Sequence, residues 1–185
     1  MHKLAFILLM ISGIVQHISA QSIPNLNKLK IVMIRHGEKP VPGDNLNCMG
    51  LNRAMLLPPV ITGKFGVPDF VYVPQIAMAE QTLHSRPFQT LIPLVGKYNL
   101  KVNSQHLTRN FEEIATDLKS KTGTILLCWE HKAIPYIAQA LGVKLDSLLW
   151  PDDDYDSIWI VTFVNGKAVL TKDKEGLKPS ADCGF

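Results

Sequence analysis

Three short segments hold residues able to handle a phosphate: Arg35-His36-Gly37-Glu38, Ser85-Arg86 with Gln89-Thr90, and Glu130-His131. Between them they supply two guanidinium groups and two imidazoles. A guanidinium fork meets phosphate oxygens bidentately and keeps its charge at any working pH. An imidazole is either a neutral nucleophile or a protonated donor near neutral pH. Two of each is the set that a dianionic phosphate would select. Gly37 lets the backbone turn tightly and brings the next amide close to a ligand. A helix starting after such a loop would aim further amides at the anion.

The elements that must carry these residues can be read from the pattern. Leu29 to Ile34 is a short β-branched apolar run that stops at Arg35-His36, which reads as a buried strand. Lys39 to Asn47 is loop chemistry, with two Pro, a Gly and two Asn. Gly50 to Ile61 reads as a helix disturbed by Pro58-Pro59, and Phe70 to Val73 as a second strand. Arg86 to Val95 reads as a helix whose Pro87 suits a first turn and whose Pro93 does not suit an interior. Asn110 opens a helix to about Ser120, with Glu112 and Glu113 in its first turn.

Thr124 to Trp129 is a third buried strand, and Ala133 to Leu141 a helix closed by Gly142. Ile158 to Val164, Asn165-Gly166 and Lys167 to Thr171 form a hairpin. Strands alternating with helices predict an α/β fold, a three-layer α/β/α sandwich with a mostly parallel sheet. In such sheets ligands bind beyond the carboxyl ends of the strands. Arg35-His36 and Glu130-His131 both follow strands there.

Taken in order, these segments resemble the histidine phosphatase (phosphoglycerate mutase-like) superfamily. Ile31 to Glu38 is similar to its strand and Arg-His-Gly signature, and Asp44-Asn45-Leu46 with Gly50 and Ala54 to its first helix. Ser85-Arg86 with Gln89-Thr90 resembles the second Arg motif. Leu126 to His131, Ile134 and Leu141-Gly142 resemble the second His motif and its helix. The likeness runs from about Leu29 to Thr171. It implies a phosphoglycerate mutase-like fold and a metal-independent phosphatase of histidine acid phosphatase type. His36 would be the nucleophile, forming a phosphohistidine, and Arg35, Arg86 and His131 would hold the phosphate oxygens. No cofactor and no metal is implied.

The proton donor to the leaving group is not assigned by the resemblance. Where one branch of the family has an Asp after the second His, this chain has Lys132. Glu112 and Glu113 read as first-turn helix residues. Glu38 and Glu130 flank the motifs and are the candidates for that donor; with Gly37 they are expected to line the pocket. Two other functions stay open: a catalytically inactive relative that binds a phosphate ligand, and a phosphomutase. The partner in each case is a small phosphorylated molecule. His84 and His106 read as surface or loop histidines. Asp152-Asp153-Asp154-Tyr155-Asp156 reads as a solvated turn, lacking the spacing and Gly of a calcium loop. The tail from Lys172 to Phe185 reads as exposed coil.

Composition sets the frame. The chain has 185 residues, 46% hydrophobic, with 19 Lys+Arg against 16 Asp+Glu. A net charge of +3 with no basic stripe gives no ground for nucleic-acid binding. Met1 to Ala20 has the n-region, apolar run and small terminal residue of a secretory signal peptide. Its apolar run, Leu4 to Val15, is shorter than the roughly 20 residues that span a bilayer. The expected layout is therefore a signal peptide over 1–20 and a phosphatase domain over 21–185, secreted or periplasmic, with no membrane attachment after cleavage. Of three cysteines, Cys128 lies in an apolar run and reads as a buried small hydrophobe. Cys48 with Cys183 is the plausible disulfide in an exported chain.

Overall fold

The computed structural model describes residues 25–78 and 82–184. The expected signal peptide lies outside them. In chain order the elements are β1 (Leu29–Arg35), α1 (Cys48–Phe65), β2 (Phe70–Tyr72), β3 (Ala77–Met78), β4 (Thr82–Leu83), α2 (Arg86–Tyr98), β5 (Val102–Asn103), α3 (Phe111–Lys119), β6 (Gly123–Trp129), α4 (Ile134–Ala140), β7 (Ser157–Val164) and β8 (Lys167–Lys174). Six strands form one sheet in the order β5-β2-β6-β1-β7-β8, and β3 pairs with β4 apart from it. The pairs β5-β2, β2-β6 and β6-β1 are parallel, while the β7-β8 hairpin adds antiparallel to β1. This is the mixed, mostly parallel sheet that the strand-helix alternation predicts.

Why β1 and β6 sit at the centre follows from their sequences. Both are nearly continuous apolar runs, and such runs suit strands covered on both faces. On one face Met33, Leu127 and Trp129 pack with Ile114, Leu118 and Ile137 of α3 and α4. On the other, Val32, Ile34, Leu126 and Cys128 pack with Leu57 and Ile61 of α1 and Leu91 and Leu94 of α2. The three layers are thus α3-α4, sheet and α1-α2. Cys128 is free and buried, as its apolar surroundings suggest.

Two helices run further than expected. Helix α1 continues through Pro58 and Pro59 to Phe65, and α2 continues through Pro93 to Tyr98. A proline inside a helix removes one hydrogen bond and clashes with the turn before it. Here burial outweighs that cost. Leu57, Leu91 and Leu94 are fully buried and Ile61 nearly so, each worth about 2 kcal/mol. The Thr62 hydroxyl also donates to the Pro58 carbonyl at 2.9 Å.

The tail departs from exposed coil at its start only, residues 176–184 being coil and mostly exposed. Residues Lys172 to Lys174 belong to β8, and Glu175 is 4% exposed. The segment beyond lies against α1: Asn52 Nδ2 donates to the carbonyls of Ser180 and Asp182 at 2.9 and 2.8 Å. Cys183 is disulfide-bonded to Cys48 in the first turn of α1, the expected pair, across a sequence separation of 135.

Candidate active site

The register of β1 and β6 brings two of the three motifs together. Arg35 pairs with Trp129, and the His36 amide donates to the Trp129 carbonyl at 3.1 Å, one step past the strand. Arg35-His36 and Glu130-His131 therefore leave adjacent strand ends. From there the chain goes opposite ways, β1 toward α1 on one face and β6 toward α4 on the other. A crevice opens where connections diverge like this. Arg86 reaches the same place from the first turn of α2.

Thr90 ties that helix to the loop after β1. Its hydroxyl accepts from the Gly37 amide at 2.9 Å and donates to the Arg86 carbonyl at 2.8 Å. The Gly37 amide is thereby used within the protein. The need for glycine here is close packing: a Cβ on Gly37 would stand 3.0 Å from Gly50 Cα, and one on Gly50 would stand 2.3 Å from the Glu38 carbonyl oxygen. The loop from Lys39 to Asn47 is strapped to α2 as well. Gln89 accepts from the Leu46 amide and donates to Asn45, and Ser85 donates to the Asp44 carbonyl. Arg86 Nη1 donates to the Gly43 carbonyl at 3.0 Å and lies 4.0 Å from Asp44 Oδ1.

His36 is 3% exposed, and its Nδ1 is 2.8 Å from the Gly37 carbonyl. A carbonyl can only accept, so Nδ1 carries the proton and Nε2 keeps its lone pair. Burial pushes the His36 pKa down to about 3; the Gly37 hydrogen bond opposes this, and the charges of Arg86, Arg35 and His131 add to it. The outcome is a neutral imidazole, with a free lone pair, among positive charges.

Arg35 is 2% exposed and held by backbone. Its Nη1 donates to the carbonyls of Asp152 (2.6 Å), Asp154 (3.3 Å) and Pro151 (3.4 Å). The Tyr155 ring lies 3.7 Å from its Cζ, a cation–π contact, and meets the His36 ring edgewise at 6.4 Å. His131 is 9% exposed, and its Nε2 is 2.6 Å from Asp152 Oδ1. Burial lowers the His131 pKa, and Asp152 opposes the shift. Among the described residues four buried side-chain atoms lack a hydrogen-bond partner: Arg35 Nε, His131 Nδ1, Glu130 Oε1 and Glu175 Oε1. Unpaired buried donors and acceptors are uncommon, and here two lie on groups suited to bind a phosphate.

The remaining expected residues divide. Glu38 is directed away from the crevice: Arg53 of α1 holds both of its oxygens, at 2.7–3.1 Å, and also binds Glu175 at 2.5 Å. Its role here is to pin the loop after His36 to α1. Glu130 Oε1 lies 3.7 Å from Arg109 Nε, and the Glu130 carbonyl accepts the Ala133 and Ile134 amides at the start of α4. His84 is exposed. His106 is not a surface residue: it is 3% exposed, between Glu113 at 3.2 Å and Asp117 at 2.9 Å. Among the described residues no group of three or more His, Cys, Asp or Glu side chains is arranged to hold a metal ion.

Asp152 and Tyr155 join the site without being expected there. Their run reads in sequence as a solvated turn. The available signal was topological: β7 runs antiparallel to β1 and pairs Ile158 with Ile34. The residues just before β7 must then arrive beside the end of β1.

No family model and no curated protein matches the chain. Solved structures do match. A protein assigned as the phosphohistidine phosphatase SixA from Agrobacterium tumefaciens gives a TM-score of 0.58 at 13% identity, covering 80% of this chain and 97% of that one. Phosphoserine phosphatase from Entamoeba histolytica, in complex with 3-phosphoglyceric acid, gives 0.52 at 16% identity, covering 81% and 98%. A protein assigned as an alpha-ribazole-5'-P phosphatase from Escherichia coli K-12 gives 0.51 at 14%, covering 85% and 100%. At these identities the likeness is one of fold, and the fold is phosphoglycerate mutase-like.

Proposed function

We propose that the protein is a phosphomonoesterase of the histidine phosphatase superfamily, with His36 as nucleophile. The observation that carries this is the state of His36: neutral, its Nδ1 proton fixed on the Gly37 carbonyl, its Nε2 lone pair free beside Arg35, Arg86 and His131. In the first step Nε2 attacks phosphorus in line. The N–P bond forms as the ester P–O bond breaks, and the departing oxygen takes a proton from solvent water. In the second step water attacks phosphorus, the N–P bond breaks, and inorganic phosphate leaves. Arg35, Arg86 and His131 bind the phosphoryl oxygens and stabilise charge in both transition states. That several solved structures of like fold are described as phosphatases supports this class of reaction.

His36→Ala should abolish hydrolysis of 4-nitrophenyl phosphate, and unchanged turnover would refute the reading. Because the nucleophile must be unprotonated, the acid limb of kcat/KM should follow a pKa of about 3. Activity rises as pH climbs through that value.

Export is part of the same proposal. It is supported by the signal-peptide pattern of Met1 to Ala20, and by a disulfide, which persists mainly in oxidising compartments. N-terminal sequencing of protein recovered outside the cytoplasm should begin near Gln21. An intact Met1 would refute cleavage.

A further inference from the structure

We infer that Asp152 is a positioning residue that aligns two of the phosphate-binding groups at once, its carboxylate orienting His131 and its carbonyl orienting Arg35. The inference rests on the phosphatase reading above. The geometry is compact: Asp152 Oδ1 stands 2.6 Å from His131 Nε2, and the Asp152 carbonyl accepts from Arg35 Nη1 at 2.6 Å. The two ends of the carboxylate contact differ in burial, Asp152 being 81% exposed on its side chain and His131 11%. An exposed carboxylate gains little from an ion pair for its own sake. The consequence of the contact is therefore felt at His131.

A carboxylate accepts, so His131 Nε2 must donate to it. The atom left for a ligand is Nδ1, which is buried and without a partner among the described residues. In the neutral ring Nδ1 presents a lone pair, which a phosphate dianion repels. Binding thus calls for a second proton on Nδ1, giving an imidazolium that donates to Asp152 on one side and to phosphate on the other. Burial, Arg35 and Lys132 all oppose that charge, as does the cationic neighbourhood of His36; Asp152 is the group that favours it. The arrangement parallels metal-binding histidines, whose far nitrogen is oriented by a carboxylate.

The test uses the purified mature chain with its disulfide intact, and 4-nitrophenyl phosphate as probe. Asp152→Ala should lower kcat/KM about 10- to 100-fold, the range seen when an orienting partner of a ligand histidine is removed. Its alkaline limb should move to lower pH, because His131 then loses its proton sooner. Asp152→Asn keeps an acceptor and loses the charge, so it should lose less rate and move the limb the same way. Both should melt within a few degrees of the parent, since the side chain is exposed. Parental kcat/KM in Asp152→Ala, or a fall with the alkaline limb unmoved, would overturn the inference. His36→Ala is run alongside. If it stays active the phosphatase reading itself fails; if it is inactive while Asp152→Ala is parental, only the role of Asp152 fails.

Discussion

Two buried arginines stand on either side of the loop after β1, and they meet opposite fates. Arg53 is 4% exposed, and two carboxylates, Glu38 and Glu175, fill its fork. Although burial works against its charge, those carboxylates hold it above the ordinary guanidinium value. Arg35 is 2% exposed and meets backbone carbonyls and an aromatic face instead. Burial pulls it below the ordinary value, with Tyr155 foremost among the groups that oppose the shift. At one site carboxyl oxygens fill the guanidinium fork, with Glu175 Oε1 the one carboxyl atom of the cluster left without a partner among the described residues. The other holds buried positive charge that lacks a full counter-charge, and two buried nitrogens without partners. Keeping charge buried in that state is costly unless an anion arrives. The difference sets a structural ion cluster apart from the proposed phosphate site.

Paired substitutions can break or sharpen that contrast. Arg53→Met should be the most damaging to the fold, because it leaves Glu38 buried without its cation and Glu175 without its hydrogen-bond donor. Breaking a buried pair costs about 3–5 kcal/mol, so thermal unfolding should shift down by roughly 10 °C or more. Arg35→Met should do the reverse: kcat/KM falls about 10²- to 10³-fold, while the melting temperature moves by only a few degrees. If both variants lost stability equally with equal activity, the contrast would be empty.

Inorganic phosphate gives a smaller, independent reading. At about ten times its Kd it should stabilise the parent by roughly 1.4 kcal/mol, raising the melting temperature by a few degrees. It should leave Arg35→Met unmoved and act on a folded Arg53 variant as on the parent. Subtler still is the pH dependence inside the Arg53 cluster. Burial pushes the Glu175 carboxyl up to about 8, against the opposing pull of Arg53. Its folded pKa lies above the unfolded one, so its contribution is present in acid and is lost as pH rises toward about 8. Glu175→Gln should flatten the fall in melting temperature over that window, and an identical slope in both proteins would contradict the assignment.

What could be read in the sequence follows the range of the interactions. The strand ends, the Arg-His-Gly motif and the α/β alternation are local patterns, and β1 and β6 appear within a residue of where they were expected. Arg86 could be read only beside Ser85, Gln89 and Thr90, whose hydrogen bonds now explain that company. The fate of Glu38 was hidden because Arg53 lies one loop away and Glu175 another 122 residues on. Asp152 and Tyr155 were hidden because their acidic run has the composition of a turn. Only the pairing of β7 with β1 brings it to the crevice. His106 looked like a loop residue for the same reason, since its carboxylate partners come from α3.

The covalent intermediate is the most direct test. Radiolabelled phosphate ester is mixed with the purified protein, quenched within milliseconds under denaturing alkaline conditions that preserve phosphohistidine, and mapped by peptide. Label should appear on the peptide that contains His36 and be missing from His36→Ala. Steady turnover with no label on that peptide would contradict nucleophilic catalysis by His36.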